Sequence, residues 1–285
     1  MELEQRPMII NARQHDLGGL IVRRVLPFAK GTGEGDVQVR RHVGPFVFLD
    51  HIGPTETEQP MFVSEHPHIG LATATYLFEG EILHKDSLGS EQVIRERELN
   101  LMTAGEWITH IEQRLTNEIH GLQFWIALPL EEEECAPKFQ HCEGLELPMW
   151  TVARDVVGQV LLGELKGHQS KAEFPSRALF AVIDSASSHV HRITLELNER
   201  ETGIYVCEGS ATIEPHGHFL PGQLLILDQA ESERSIVEVE LAPGARLAIF
   251  GGDPLDAPRH MKWNYVASDK ELIERAEAKW AEHAK

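Results

Sequence analysis

Residues 66–81 read HPHIGLATATYLFEGE. The run LATATYLF (71–78) is rich in β-branched, aromatic and small apolar residues, and it ends in the turn sequence EGE. It shows no regular helical periodicity, so it reads as a buried strand. Similar runs flank it: LIVRRVL (20–26), FVFLDHI (46–52), EILH (81–84) and HGLQFWIAL (120–128). Turn-forming stretches such as GTGEGD, GPTETEQP and DSLGS separate them. Many short strands at this spacing predict a sandwich or barrel.

The pattern breaks at EEEECAPKFQHCEGLELP (131–148), an acidic stretch with two prolines and the best linker candidate. Strands resume with VGQVLLGEL (157–165), ALFAVIDS (178–185), HRITLEL (191–197), GIYVCEG (203–209), GQLLILD (222–228), SIVEVEL (235–241) and ARLAIFGG (245–252). The end differs. SDKELIERAEAKWAEHA (268–284) offers a capping box, Ser268 with Glu271, and one apolar face of Leu272, Ile273, Ala276 and Trp280. It predicts a closing helix packed on the second domain. TYLFEGE (75–81) is echoed by IYVCEGS (204–210), sharing Tyr-x-x-Glu-Gly at an offset of 129. The chain is therefore expected to be all-β, with two tandem barrels over 1–140 and 149–285, the second ending in the helix.

Composition narrows the function. The 285 residues carry a formal charge of -19, which disfavours direct binding to nucleic acid. The run EEEE (131–134) reads as a solvated loop. Three cysteines, Cys135, Cys142 and Cys207, give no disulfide framework and suggest a reducing compartment. Cys135 and Cys142 are spaced too widely for a zinc knuckle, so all three are expected to be free thiols. The opening residues lack a signal-peptide core, and no apolar run approaches the roughly 18 residues of a membrane span. The expectation is a cytoplasmic protein without a membrane partner.

The chemistry lies in two short stretches. His66 and His68 are one residue apart, as are His110 and Glu112 in THIE. On a strand, such pairs share a face. Two strands meeting inside a small barrel would bring three imidazoles and a carboxylate to one point, a donor set suited to a divalent first-row metal. With sixteen histidines in the chain, one H-x-H pattern proves little. HVH (189–191) and HGH (216–218) also occur, near turns and without an H-x-E partner. At the echo offset, His66, His68, His110 and Glu112 fall on Leu195, Leu197, Val239 and Leu241. Only the first half has ligand types.

The combination of FLDHIGP, HPH, HKDSLG, TAG with H-x-E, and HGLQFW strongly resembles the pirin family, a branch of the two-domain cupins. The likeness is dense over about residues 20–130, and FGGDPLDAPRHMKWNYVASDKELIERA resembles the family's ending. It implies two cupin barrels of the double-stranded β-helix (jelly-roll) type, with one metal in the N-terminal barrel. The family's ligands fall on His66, His68, His110 and Glu112. Iron(II) is the leading expectation, with Ni, Cu, Mn, Co and Zn compatible. The implied activity is quercetin 2,3-dioxygenase-like opening of a flavonol by dioxygen, with Glu112 as catalytic base. The alternative is a non-enzymatic iron-binding regulator with a protein partner.

The chain departs from the family pattern at Ile69 and Leu71, where pirins commonly read HPHRGF, and at Glu106 and Trp107, before the second ligand pair. These changes are expected near the metal mouth. His84 and Asp86 are expected in a turn or behind the ligands, His51 and His120 as core residues or donors to the site, and Phe124 and Trp125 as barrel wall.

Overall fold

The structure, a computed structural model, describes residues 8–16, 21–32, 36–40, 42–58, 61–197, 201–227 and 236–283. Its contacts divide the chain into two compact units: 14–24, 45–146 and 255–285 form one, and 1–13, 25–44 and 147–254 form the other.

In the unit built around residues 45–146, two antiparallel sheets make the barrel. The larger runs in the order Lys138–Cys142, Leu99–Thr103, Leu71–Glu79, Glu118–Ala127, Phe46–Glu56, Ile21–Leu26 and Arg13–Asp16. The smaller runs Glu91–Ile94, Ile82–Asp86, Ile108–Arg114 and Phe62–His68. LATATYLF is the third strand of the larger sheet, paired on both sides. Its residues 71–78 are all buried, which is why it reads as a continuous apolar run rather than an alternating one.

The other unit repeats the plan. Its larger sheet runs Met8–Asn11, Gln223–Leu227, Glu201–Glu208, Arg246–Gly252, Ala178–Ser185, Val156–Leu162 and Met149–Ala153. Its smaller sheet runs Gly217–Phe219, Ala211–Ile213, Ile236–Leu241 and His191–Glu196. The two orders match strand for strand, and the echoed sequences occupy the same third position. The register refines the sliding alignment. His110 faces His66, whereas Val239 faces Ile193 and Val237 faces Leu195. The counterparts of His66 and His68 are therefore Ile193 and Leu195. All of these second-unit residues lie in one apolar core.

Four expectations need correction. The closing helix, Lys270–His283, packs on the unit of residues 45–146, where Ile273 and Ala276 meet Ile69, Tyr265 and Ala267. The hairpin before it explains this, because Tyr265 bridges Ile69 and Val266 donates to the Ile69 carbonyl at 3.3 Å. The expected linker is largely built into the fold: Lys138–Cys142 pairs with Leu99–Thr103. Glu133, expected in a solvated loop, is buried and accepts from Ser268 N and Oγ, both at 2.6 Å. That bond takes Ser268 out of the capping box, and Asp269 Oδ1 instead accepts from Glu271 N at 2.9 Å. All three cysteines are free thiols, as expected.

Candidate metal centre

Strand pairing assembles the site. Ile108–Arg114 lies between Phe62–His68 and Ile82–Asp86. His110 faces His66 on one side and Asp86 on the other, and Glu112 faces His84. One ligand atom from each of His66, His68 and His110 lies within 4.8 Å of the others. Glu112 joins His84 and His110 in a second such group. The structure therefore gathers the three imidazoles directly, and His110 links them to the carboxylate.

Hydrogen bonds on the far side of each ring fix the tautomers. A neutral imidazole has one donor and one acceptor nitrogen. His66 Nδ1–H donates to the Ser64 carbonyl at 2.8 Å, and His68 Nδ1–H to the Asn264 carbonyl at 3.0 Å. In the neutral ring, that leaves Nε2 as the lone pair. His110 Nε2 lies 3.1 Å from His68 Nε2, and its Nδ1 faces His84 Nδ1 at 3.4 Å. Burial, then charge on His66, lowers the pKa of His68 from 6.5 to about 3. Burial, then charge on His68, His66 and His84, pushes His110 well below its ordinary value. Both rings are neutral at pH 7. Two nitrogens this close with donors turned outward repel unless a cation lies between them, so the donor set fits a divalent metal.

Glu112 is buried, and Gln123 Nε2 donates to both its oxygens at 2.9 Å. Gln123 also reaches Thr75 Oγ1 at 3.2 Å. Trp125 meets His68 edge-on, with centroids 5.3 Å apart, and stacks on Phe48 at 4.1 Å and 14°. Arg24 lies over the Phe48 ring at 4.6 Å and pairs with Asp50 through both guanidinium donors, at 2.9 and 2.7 Å. The site thus has a charged, hydrogen-bonded side and a flat aromatic wall. Sequence reasoning identified Trp125 as wall but missed Gln123, Phe48 and the Asn264 carbonyl. The alternation that puts Gln123 two residues before Trp125 could have flagged the first of these.

Ile69 and Trp107 lie under the closing helix rather than at a metal mouth. Lys279 Nζ sits 4.6 Å over the Trp107 ring. Leu71 packs with Trp125 in the barrel wall, and Glu106 is exposed. His51 and His120 bond each other through Nε2 at 2.8 Å, fully buried. Among the described residues, neither HVH nor HGH joins a metal-competent group. His191 instead bonds Ser187 Oγ at 2.8 Å, and His218 lies 3.2 Å from Thr212 Oγ1.

A family model described as Pirin matches residues 26–126, and one described as Pirin C-terminal cupin domain matches 182–284. A Pseudomonas aeruginosa protein provisionally named a quercetin 2,3-dioxygenase is 37% identical over 278 residues, 96% of this chain and 83% of that one. A pirin-like protein of Caulobacter vibrioides is 36% identical over 284 residues, 96% of this chain and 92% of its own. The crystal structure of a quercetin 2,3-dioxygenase from Acinetobacter baumannii superposes with a TM-score of 0.85 at 30% identity, covering 98% of this chain and 89% of that one. Two cupin barrels, with family matches in both halves and relatives along nearly the whole length, place the chain in the pirin family.

Proposed function

We propose that this chain is a metal-dependent dioxygenase that opens the ring of a flavonol. The observation that carries the reading is the cluster of His66 with the buried neutral imidazoles of His68 and His110, beside a buried carboxylate and a flat aromatic wall. His66, His68, His110 and Glu112 are the residues that would hold the metal, with iron(II) the leading candidate. When bound, a divalent metal supplies Lewis acidity that lowers the pKa of an adjacent hydroxyl. The remaining work belongs to side chains. Glu112 takes the proton of the flavonol 3-hydroxyl as general base, and Gln123 holds its two oxygens in place. Trp125, with Phe48 stacked behind it, flanks the planar rings and keeps water from them. The deprotonated flavonol then reacts with dioxygen: one oxygen atom bonds C2 and the other C4 as the O–O, C2–C3 and C3–C4 bonds break, which opens the ring and releases C3 as carbon monoxide, so no external reductant is needed.

The test is aerobic incubation of protein loaded separately with iron, nickel, copper, manganese or cobalt, with quercetin as substrate. Loss of flavonol absorbance is expected with at least one metal. No loss with any of them overturns the proposal. The regulatory alternative rests on the charge of -19. A basic protein partner held by wild type and lost in His110→Ala, without flavonol turnover, would favour it.

A further inference from the structure

Two of the three clustered imidazoles lean on the backbone: His66 on the Ser64 carbonyl and His68 on the Asn264 carbonyl. The third does not. His110 Nδ1 faces His84 Nδ1 at 3.4 Å, and His84 Nε2 lies 3.1 Å from Asp86 Oδ2. The side chains of His84 and Asp86 are 3% and 0% exposed. The other oxygen of Asp86 accepts from the backbone N–H of Leu88 at 2.9 Å and of Ser90 at 3.0 Å. Phe139 stacks on the His84 ring, with centroids 4.6 Å apart and planes 14° from parallel.

With a neutral His84, this chain of bonds has one consistent direction. A carboxylate can only accept, so His84 Nε2 carries the hydrogen and donates to Asp86. His84 Nδ1 is then a lone pair and accepts from His110 Nδ1–H. That leaves His110 Nε2 as the lone pair turned toward His68. The turn residues 86–90 fix Asp86, Asp86 and Phe139 fix His84, and His84 fixes His110. Sheet register builds the same order, since His110 faces Asp86 across the ladder and Glu112 faces His84.

We propose that His84 and Asp86 are positioning residues that set the tautomer and ring orientation of His110, and that His84 is not itself a metal ligand. The proposal rests on reading His110 as a ligand. An outer partner of this kind typically contributes tenfold to a hundredfold in metal affinity.

The structure also says what each substitution would do. In Asp86→Asn, the side-chain carbonyl must stay on the Leu88 and Ser90 amides, so its NH2 points at His84 Nε2. That would force the hydrogen onto His84 Nδ1, donor against donor with His110. In His84→Asn, Oδ1 stands about where Nδ1 stood and can still accept from His110. His84→Leu removes the acceptor.

The test uses the full-length chain with cobalt(II) as probe, and measures affinity by chelator competition together with the ligand-field spectrum. His84→Leu and Asp86→Asn are expected to weaken cobalt binding about tenfold to a hundredfold. His84→Asn is expected to recover most of it with a wild-type spectrum. Should His84→Leu fail to fold, folded Asp86→Asn and His84→Asn carry the test. Wild-type affinity in His84→Leu or in folded Asp86→Asn overturns the proposal. So does a His84→Asn spectrum altered as His110→Ala alters it, because His84 would then be a ligand. If wild type takes up no cobalt, the metal reading falls as well, and the two failures are told apart.

Discussion

Glu112 is a buried acceptor whose two oxygens lean on a single amide. Replacing Gln123 with Leu would keep the volume and remove that donor. An unsatisfied buried acceptor costs about 1–3 kcal/mol, so the metal-free protein should lose about 2 kcal/mol in urea unfolding. Bound metal would pair the carboxylate again and shrink the loss. Equal losses with and without metal would mean that Gln123 only fills space. His68 gives a second expectation. Its folded pKa of about 3 lies below the ordinary 6.5, so below pH 6.5 the unfolded chain binds a proton that the folded one refuses. The metal-free protein should therefore lose stability steadily as pH falls from 6.5 toward 3, at up to about 1.4 kcal/mol per unit for this residue. A urea midpoint unchanged between pH 7 and 4 would contradict this. The ligand types were legible because the period of two puts i and i+2 on one face. The groups that fix their tautomers were not. The Asn264 carbonyl is a backbone atom 196 residues from His68, and no side-chain pattern announces it.

Among the elements, the closing segment departs most from expectation, and its anchor is a single buried carboxylate. Glu133 holds the start of the helix through Ser268 and lies 3.4 Å from Arg259 Nε, whose side chain is 2% exposed. Arg259 Nη2 keeps Asp256 Oδ1 at 2.7 Å, so losing the Glu133 charge weakens the pairing without stranding the guanidinium, and the cost falls below the about 3–5 kcal/mol of a fully broken buried pair. Glu133→Gln should therefore lower the melting temperature clearly and raise hydrogen exchange over residues 265–283. Asp269→Ala removes only a cap and should cost about 1 kcal/mol. If Ser268→Ala proved to be the cap mutation and Asp269→Ala neutral, the assignment would be wrong. The capping-box sequence was present, but it recorded only a local option. A buried carboxylate from a stretch that looked like a solvated loop took Ser268 first. Gly70 marks the same docking in the opening stretch. Its φ is +66°, and a Cβ there would collide with the Val266 carbonyl of the closing hairpin.

On the scale of the whole chain, the duplication was readable from Tyr-x-x-Glu-Gly because both copies are the third strand of a seven-stranded sheet. The exchange of terminal segments between units was not readable, since it depends on which edges and apolar residues stay uncovered once both barrels close. Met8–Asn11 takes the sheet edge beside Gln223–Leu227, as Lys138–Cys142 does beside Leu99–Thr103. The barrels share a strand order but not an interior. Where one has His66, His68, His110 and Glu112, the other has Ile193, Leu195, Val239 and Leu241 within an apolar core. A large-to-small change there should act on stability alone, with Leu195→Ala costing about 2–5 kcal/mol and leaving metal content intact. Elemental analysis of the wild type should then give one metal per chain. The double change His68→Ala with His110→Ala should give none, although HVH and HGH remain. Two metals per wild-type chain, or one retained by the double variant, would put a centre in the second barrel or on its surface.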